Sequence, residues 1–141
     1  MNEKHIELIQ ANITRMGQNS FQIKGWLITI TAALLALFAA STSENSTGNV
    51  CYIFIAIIPA FVFWCLDSFY LQQERKFIGI YNDVTKLSDE AIRIDVKPYE
   101  MPLEKYKGGR YCIICATFSS TVWPLYFPTI IGLAIAGCLL K

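Results

Sequence analysis

Hydrophobic positions in this chain do not alternate with polar ones. They gather in three long blocks. Residues 25–40 carry no charge, residues 50–71 carry only Asp67, and residues 111–140 carry none. A hydrocarbon core of ~30 Å takes about 20 helical residues, so blocks of this length predict membrane-spanning helices. Phe21 and Ile23 extend the first block, with Lys24 able to reach toward the headgroups, which gives a span over 21–40. The second span covers 50–71, kinked at Pro59, and its helix is expected to continue into water to about Leu87. The third block is too long for one straight span and contains Pro124 and Pro128. It is expected to begin with an interfacial or kinked segment and to cross from about Val122 to Leu140.

Ahead of the first block, residues 1–20 carry a helical row. Ile6, Ile9, Ile13 and Met16 recur at steps of three and four, and Ile23 extends the row. The stripe is narrow, like a coiled-coil seam. It suits either packing on its own chain or membrane surface, or self-association. No proline occurs before Pro59, so one helix can run unbroken through the first span, with Gly17 and Gly25 as its weakest points. No short basic region precedes the first block and no good cleavage site ends it, Ala39-Ala40-Ser41 being a poor match. That block is therefore expected to be retained.

Two polar segments separate the blocks. Residues 41–49 read as a turn without Lys or Arg. Residues 88–110 form a small connection in which Ile92, Ile94 and Val96 alternate with Arg93, Asp95 and Lys97. This predicts a short strand or extended stretch before the Pro- and Gly-marked loop at 98–109. The fold class is thus an all-α membrane protein, one domain of about three transmembrane helices with an N-terminal amphipathic helix and a small connection. Eleven basic residues flank the first block or lie between the second and third, against Lys141 alone on the other side. The positive-inside rule then places the N-terminus and the connection in the cytoplasm of a bacterial inner membrane and the C-terminus in the periplasm.

Composition agrees with this picture. Of 141 residues, 54% are hydrophobic and 16% charged, well below the ~25% charged of soluble domains. The net charge of +1 gives no field for nucleic acid as such. No phosphate loop, nucleophile elbow or zinc-protease helix is present, and His5 is the single histidine. A non-enzyme without metal or other cofactor is expected. Cys112 and Cys115 form a C-x-x-C with no second pair to complete a zinc site. A lipid-acting enzyme would need Asp67, His5 or these cysteines to converge in one site.

Asp67 is the residue with most to explain, because a carboxylate near a bilayer boundary needs water or a partner. Antiparallel packing of the first two helices offers Lys24 and Arg15, and an Asp67–Lys24 pair is expected as a clasp or gate. In and just after the connection, Lys97, Lys105, Lys107 and Arg110 interleave with Tyr99, Tyr106 and Tyr111. That pattern suits a nucleotide or single-stranded oligonucleotide, and equally a segment touching anionic lipid.

The stretches Asn19-Ser20-Phe21-Gln22-Ile23-Lys24-Gly25-Trp26 and 63–77, from Phe63-Trp64-Cys65-Leu66-Asp67 to Arg75-Lys76-Phe77, together with Phe118-Ser119-Ser120-Thr121-Val122 and Phe127-Pro128, resemble small multi-pass bacterial membrane proteins. Such proteins are similar to the membrane effectors of anti-phage systems, nearest to the channel effector of the Hailong system. The resemblance implies a homo-oligomeric channel that depolarises the inner membrane. It would be held shut by an oligonucleotide from a neighbouring-gene nucleotidyltransferase. The alternative is a non-conducting anchor that docks a cytoplasmic enzyme.

Overall fold

The computed structural model describes residues 3–44 and 50–140, the side chains of residues 43 and 44 excepted. The described residues form four α-helices: α1 (Glu3–Glu44), α2 (Cys51–Val84), α3 (Ile113–Thr117) and α4 (Trp123–Leu139). Single 3-10 turns cover Leu103–Lys105 and Gly109–Tyr111, and no strand occurs among the described residues. Helices α1 and α2 are long and apolar enough to cross a membrane, whereas α4 is a shorter apolar helix of 17 residues.

The amphipathic start and the first apolar block form one continuous helix of 42 residues, about 60 Å long at 1.5 Å per residue. Neither Gly17 nor Gly25 interrupts it. Helix α1 also runs past residue 40 into the expected turn, where the Ser41 hydroxyl bonds back to the Phe38 carbonyl. The rest of that turn, from residue 45, lies outside the described residues, as does Lys141. Helix α2 carries Pro59 within its run and ends at Val84, three residues before the expected Leu87. The Thr85 hydroxyl turns back on the Tyr81 carbonyl at 2.7 Å, and Lys86 takes a left-handed conformation with φ 60°, which closes the helix end.

Helix α2 is the centre of the fold. Helices α1 and α4 both pack against it, and α3 lies beside it. Fully buried Ala56 and Ala60 sit where the helices crowd, the first with Ile53 and Leu133, the second with Leu27, Val122 and Tyr126. Small side chains there allow the close helix approach that packing in lipid relies on. At the charged end, Ile9 meets Phe77, Ile80 and Tyr106, with Ile13, Met16 and residues of the connection around them.

The isoleucine row of α1 is therefore consumed within the chain. A self-association seam is not what Ile9, Ile13 and Met16 form. The expected strand at 92–96 is also absent. Alternation alone makes no ladder without a partner strand. Instead the Ile94 N–H donates to Asp83 at 3.3 Å. Arg93 is held to the preceding turn through the carbonyls of Lys86 and Ser88.

The third apolar block breaks as its length required. A single turn, α3, is followed by a non-helical step at residues 118–122, and then α4. Side chains of α2 satisfy the backbone of this broken region. Trp64 Nε1 donates to the Thr117 carbonyl at 3.3 Å, and Gln72 Nε2 to the Tyr111 carbonyl at 2.9 Å. Arg75 donates to the carbonyls of Arg110 and Cys115 and to the Ser119 hydroxyl.

Candidate functional site

Residues seven apart share nearly one face of a helix. On α2 this row runs Ala60, Asp67, Glu74, so the face that is alanine in the apolar stretch becomes acidic toward the charged end. On α1, Ser20 and Lys24 are an i, i+4 pair on the face turned to α2. The two rows meet. Lys24 Nζ lies 2.6 Å from Asp67 Oδ2, the Ser20 hydroxyl donates to Asp67 Oδ1, and Lys24 also donates to Ser20 at 2.7 Å.

Asp67 is 0% exposed, whereas the Lys24 side chain keeps 23%. The contact to Oδ2 is an ion pair rather than a well-angled hydrogen bond. From α4, the buried Tyr126 hydroxyl faces the same carboxyl without making a bond of good geometry. The result is a closed polar knot of three helices inside an apolar surround. Two turns of α2 further on, Glu74 is half-buried. Burial raises its pKa above the ordinary carboxylate value, the Lys24 and Arg75 charges pull it down, and Asp67 adds to the rise.

Arg15, the other expected partner of Asp67, is not in this knot. It is exposed and donates to Asn12 of its own helix at 3.1 Å. Ser20 and Tyr126 were not expected. The Ser20–Lys24 spacing is a signal that could have been read, while Tyr126 depends on how α4 returns to α2.

A second polar centre lies among the charged-end residues. The buried Tyr106 hydroxyl donates to Asp83 at 2.6 Å. Burial, then the bond and charge of Asp83, raise its pKa. This corrects the expectation for Tyr106 as a ligand platform: its ring packs into the core, edge-on to Tyr111 at 5.4 Å. The other expected ligand residues stay at the surface. Lys97, Tyr99 and Lys107 are exposed. Lys105 lies 3.9 Å from Glu100, and Arg110 sits 5.6 Å over the Tyr111 ring.

His5 is buried with Nε2 3.2 Å from the Glu100 carbonyl, and it lines an open depression with Asp83, Lys86, Glu90 and Arg93. Cys112 and Cys115 carry free thiols. Among the described residues no cluster of three or more His, Cys, Asp or Glu side chains could hold a metal. Comparison with protein-family models, with curated proteins and with solved structures gave no match.

Proposed function

We propose that the chain is a subunit of a homo-oligomeric inner-membrane ion channel, restrained by a cytoplasmic ligand and acting as a membrane-depolarising effector in anti-phage defence. The observation that carries this reading is the outer face of α1. Only 11% of its most apolar stretch is buried within the chain, against 28% for α2. On the uncovered side, Gln18, Gln22, Gly25, Thr29, Ala32 and Ala36 follow one another at alternating steps of four and three, all exposed. This second seam is polar at the charged end and small-residued beyond it. Glutamines bond across helices and small residues admit a neighbouring backbone. One copy has too few helices to enclose a path, so several copies closed about an axis supply the walls.

The Asp67–Lys24 knot fits a gate in this scheme because it ties α1 to α2 just where the apolar stretch ends. A cytoplasmic ligand would act by binding one arrangement of the helices better than the other. The test is membrane potential, followed with a voltage-sensitive dye in bacteria expressing the chain alone and with its genomic neighbours. Depolarisation that a neighbour suppresses is expected. A steady potential in every combination, with insertion verified, rejects the channel.

The rival reading, a non-conducting anchor for a cytoplasmic enzyme, draws on the connection, where Leu87, Ile92 and Tyr99 are all more than half exposed. A stable co-purifying enzyme with no effect on potential would favour it.

A further inference from the structure

The broken region between the connection and α4 presents an unusual surface. Its backbone is held from the inside by Trp64, Gln72 and Arg75 of α2, as described above. Non-helical backbone at membrane depth persists only where protein satisfies its polar groups, and these three side chains do that for carbonyls just before α3 and within it. The outward side is free to be apolar, and it is. Ile114 and Phe118 are each 64% exposed, with Ile113 and Trp123 beside them in sequence also exposed.

Directly before this apolar surface stand two cations, Lys107 and Arg110. They flank Gly108 and Gly109, whose φ values of 74° and 50° form a tight turn that L side chains rarely adopt. Both cations are exposed, and neither makes an ion pair among the described residues. The neighbouring Lys105, by contrast, has the Glu100 carboxylate 3.9 Å away. Arg110 is steered by its contact with the Tyr111 ring, and Tyr111 is fixed through its carbonyl by Gln72.

A pair of unpaired cations just ahead in sequence of exposed Ile and Phe side chains matches one partner: an anionic phospholipid, its phosphate against the cations and its acyl chains along the apolar surface. A soluble anion would use the cations and leave Ile113, Ile114 and Phe118 in water. We propose that Lys107, Arg110 and the exposed face of α3 form a binding site for an anionic phospholipid headgroup. The site anchors the start of the third apolar block at the membrane surface. It rests on the membrane reading above, though not on ion conduction.

The experiment uses the full chain in a neutral detergent, with phosphatidylglycerol or phosphatidylcholine added and bound lipid counted by native mass spectrometry. Preferential binding of phosphatidylglycerol is expected, weakened on the order of fivefold for each charge removed in Lys107→Gln and Arg110→Gln. Arg75 holds the Arg110 carbonyl and not its side chain, so these variants leave the internal hold in place. Equal binding of the two lipids, or an undiminished preference in the double variant, overturns the site. Displacement of phosphatidylglycerol by millimolar inorganic phosphate alone overturns it in favour of a soluble anion. Alkaline carbonate extraction separates the two failures. A chain released from membranes refutes the membrane reading and the site with it. A chain retained without lipid preference refutes the site alone.

Discussion

Replacing Lys24 by methionine removes the cation from the three-helix knot and leaves its aliphatic volume nearly intact. Two unit charges 2.6 Å apart attract by about 6 kcal/mol at an effective dielectric of ~20, and desolvation of the pair offsets much of this. What matters is the state left behind. In Lys24→Met, Asp67 stays fully buried with the Ser20 hydroxyl as its hydrogen-bond donor, and breaking a buried pair in this way costs about 3–5 kcal/mol. In Asp67→Asn the orphan is Lys24, which keeps the Ser20 oxygen and can extend toward water, so the cost falls to about 1–2 kcal/mol. The double variant should resemble Asp67→Asn alone, so the coupling equals the whole Lys24→Met loss, about 3–5 kcal/mol. Unfolding by graded denaturant in mild detergent, followed by tryptophan fluorescence, reads these values. Equal and additive losses in the two single variants would refute the argument, since they would mean that neither group depends on the other.

Four further outcomes are expected. Tyr106→Phe leaves buried Asp83 with the Ile94 N–H as its remaining donor and should cost about 1–3 kcal/mol; a loss under about 0.5 kcal/mol would show the bond to be idle. Gly79→Ala places a Cβ 2.7 Å from the Tyr111 hydroxyl and 2.8 Å from the Tyr106 ring, an overpacking worth about 1–3 kcal/mol by the same unfolding assay. A Cβ added at Gly25 meets nothing within 4 Å in its own chain, so Gly25→Leu should leave unfolding almost unchanged while abolishing the oligomer in light scattering; an intact oligomer would exclude that face. Glu74 has a raised pKa from burial, so the folded chain holds its proton more tightly than the unfolded chain. Stability contributed by this group therefore falls as pH rises above the ordinary value of 4.5. Glu74→Gln should be the more stable protein at neutral pH and lose that advantage in acid.

Which parts of the fold could be read from sequence follows from which interactions leave a periodic trace. Burial of a helix face leaves one, so the row from Ile6 to Met16 and the unbroken α1 were legible, as was the excess length of the third block that became α3 and α4. Bonds from side chains to backbone leave none. Trp64, Gln72 and Arg75 carry no spacing that announces their hold on residues 110–119. The alternation at 92–96 misled because period two marks a strand only where another strand offers its edge. Here the Asp83 carboxylate and the hydrophobic cluster around Phe77 fixed the segment instead. Asp67 and Lys24 could be paired from helix register alone, yet Tyr126 could not, because its arrival depends on the non-helical step at 118–122. Tyr106 looked like a surface aromatic among lysines; its burial follows from the neighbouring turn at Leu103–Lys105, which folds the ring back onto Ile9 and Phe77.

Periodicity also does not say whether a seam is filled by the same chain or another. Helix α1 has two seams, and the structure separates them. The apolar one, through Ile9, Ile13, Met16, Ile23 and Leu27, faces α2 and the connection. The other, from Gln18 through Gly25 to Ala36, faces away from both. A helix that only anchored a partner would gain by being uniformly large and apolar on its outer face, since lipid fills such a surface well. A trough of glycine and alanine is filled better by another helix than by acyl chains, and glutamines at its mouth are better satisfied by another polar side chain. Copies sharing one orientation in a membrane bring those glutamines to the same depth, so the seam is complementary to itself. The argument for an assembly of several copies therefore rests on the seam left bare, and the isoleucine row, which suggests self-association in the sequence, holds the chain's own helices together.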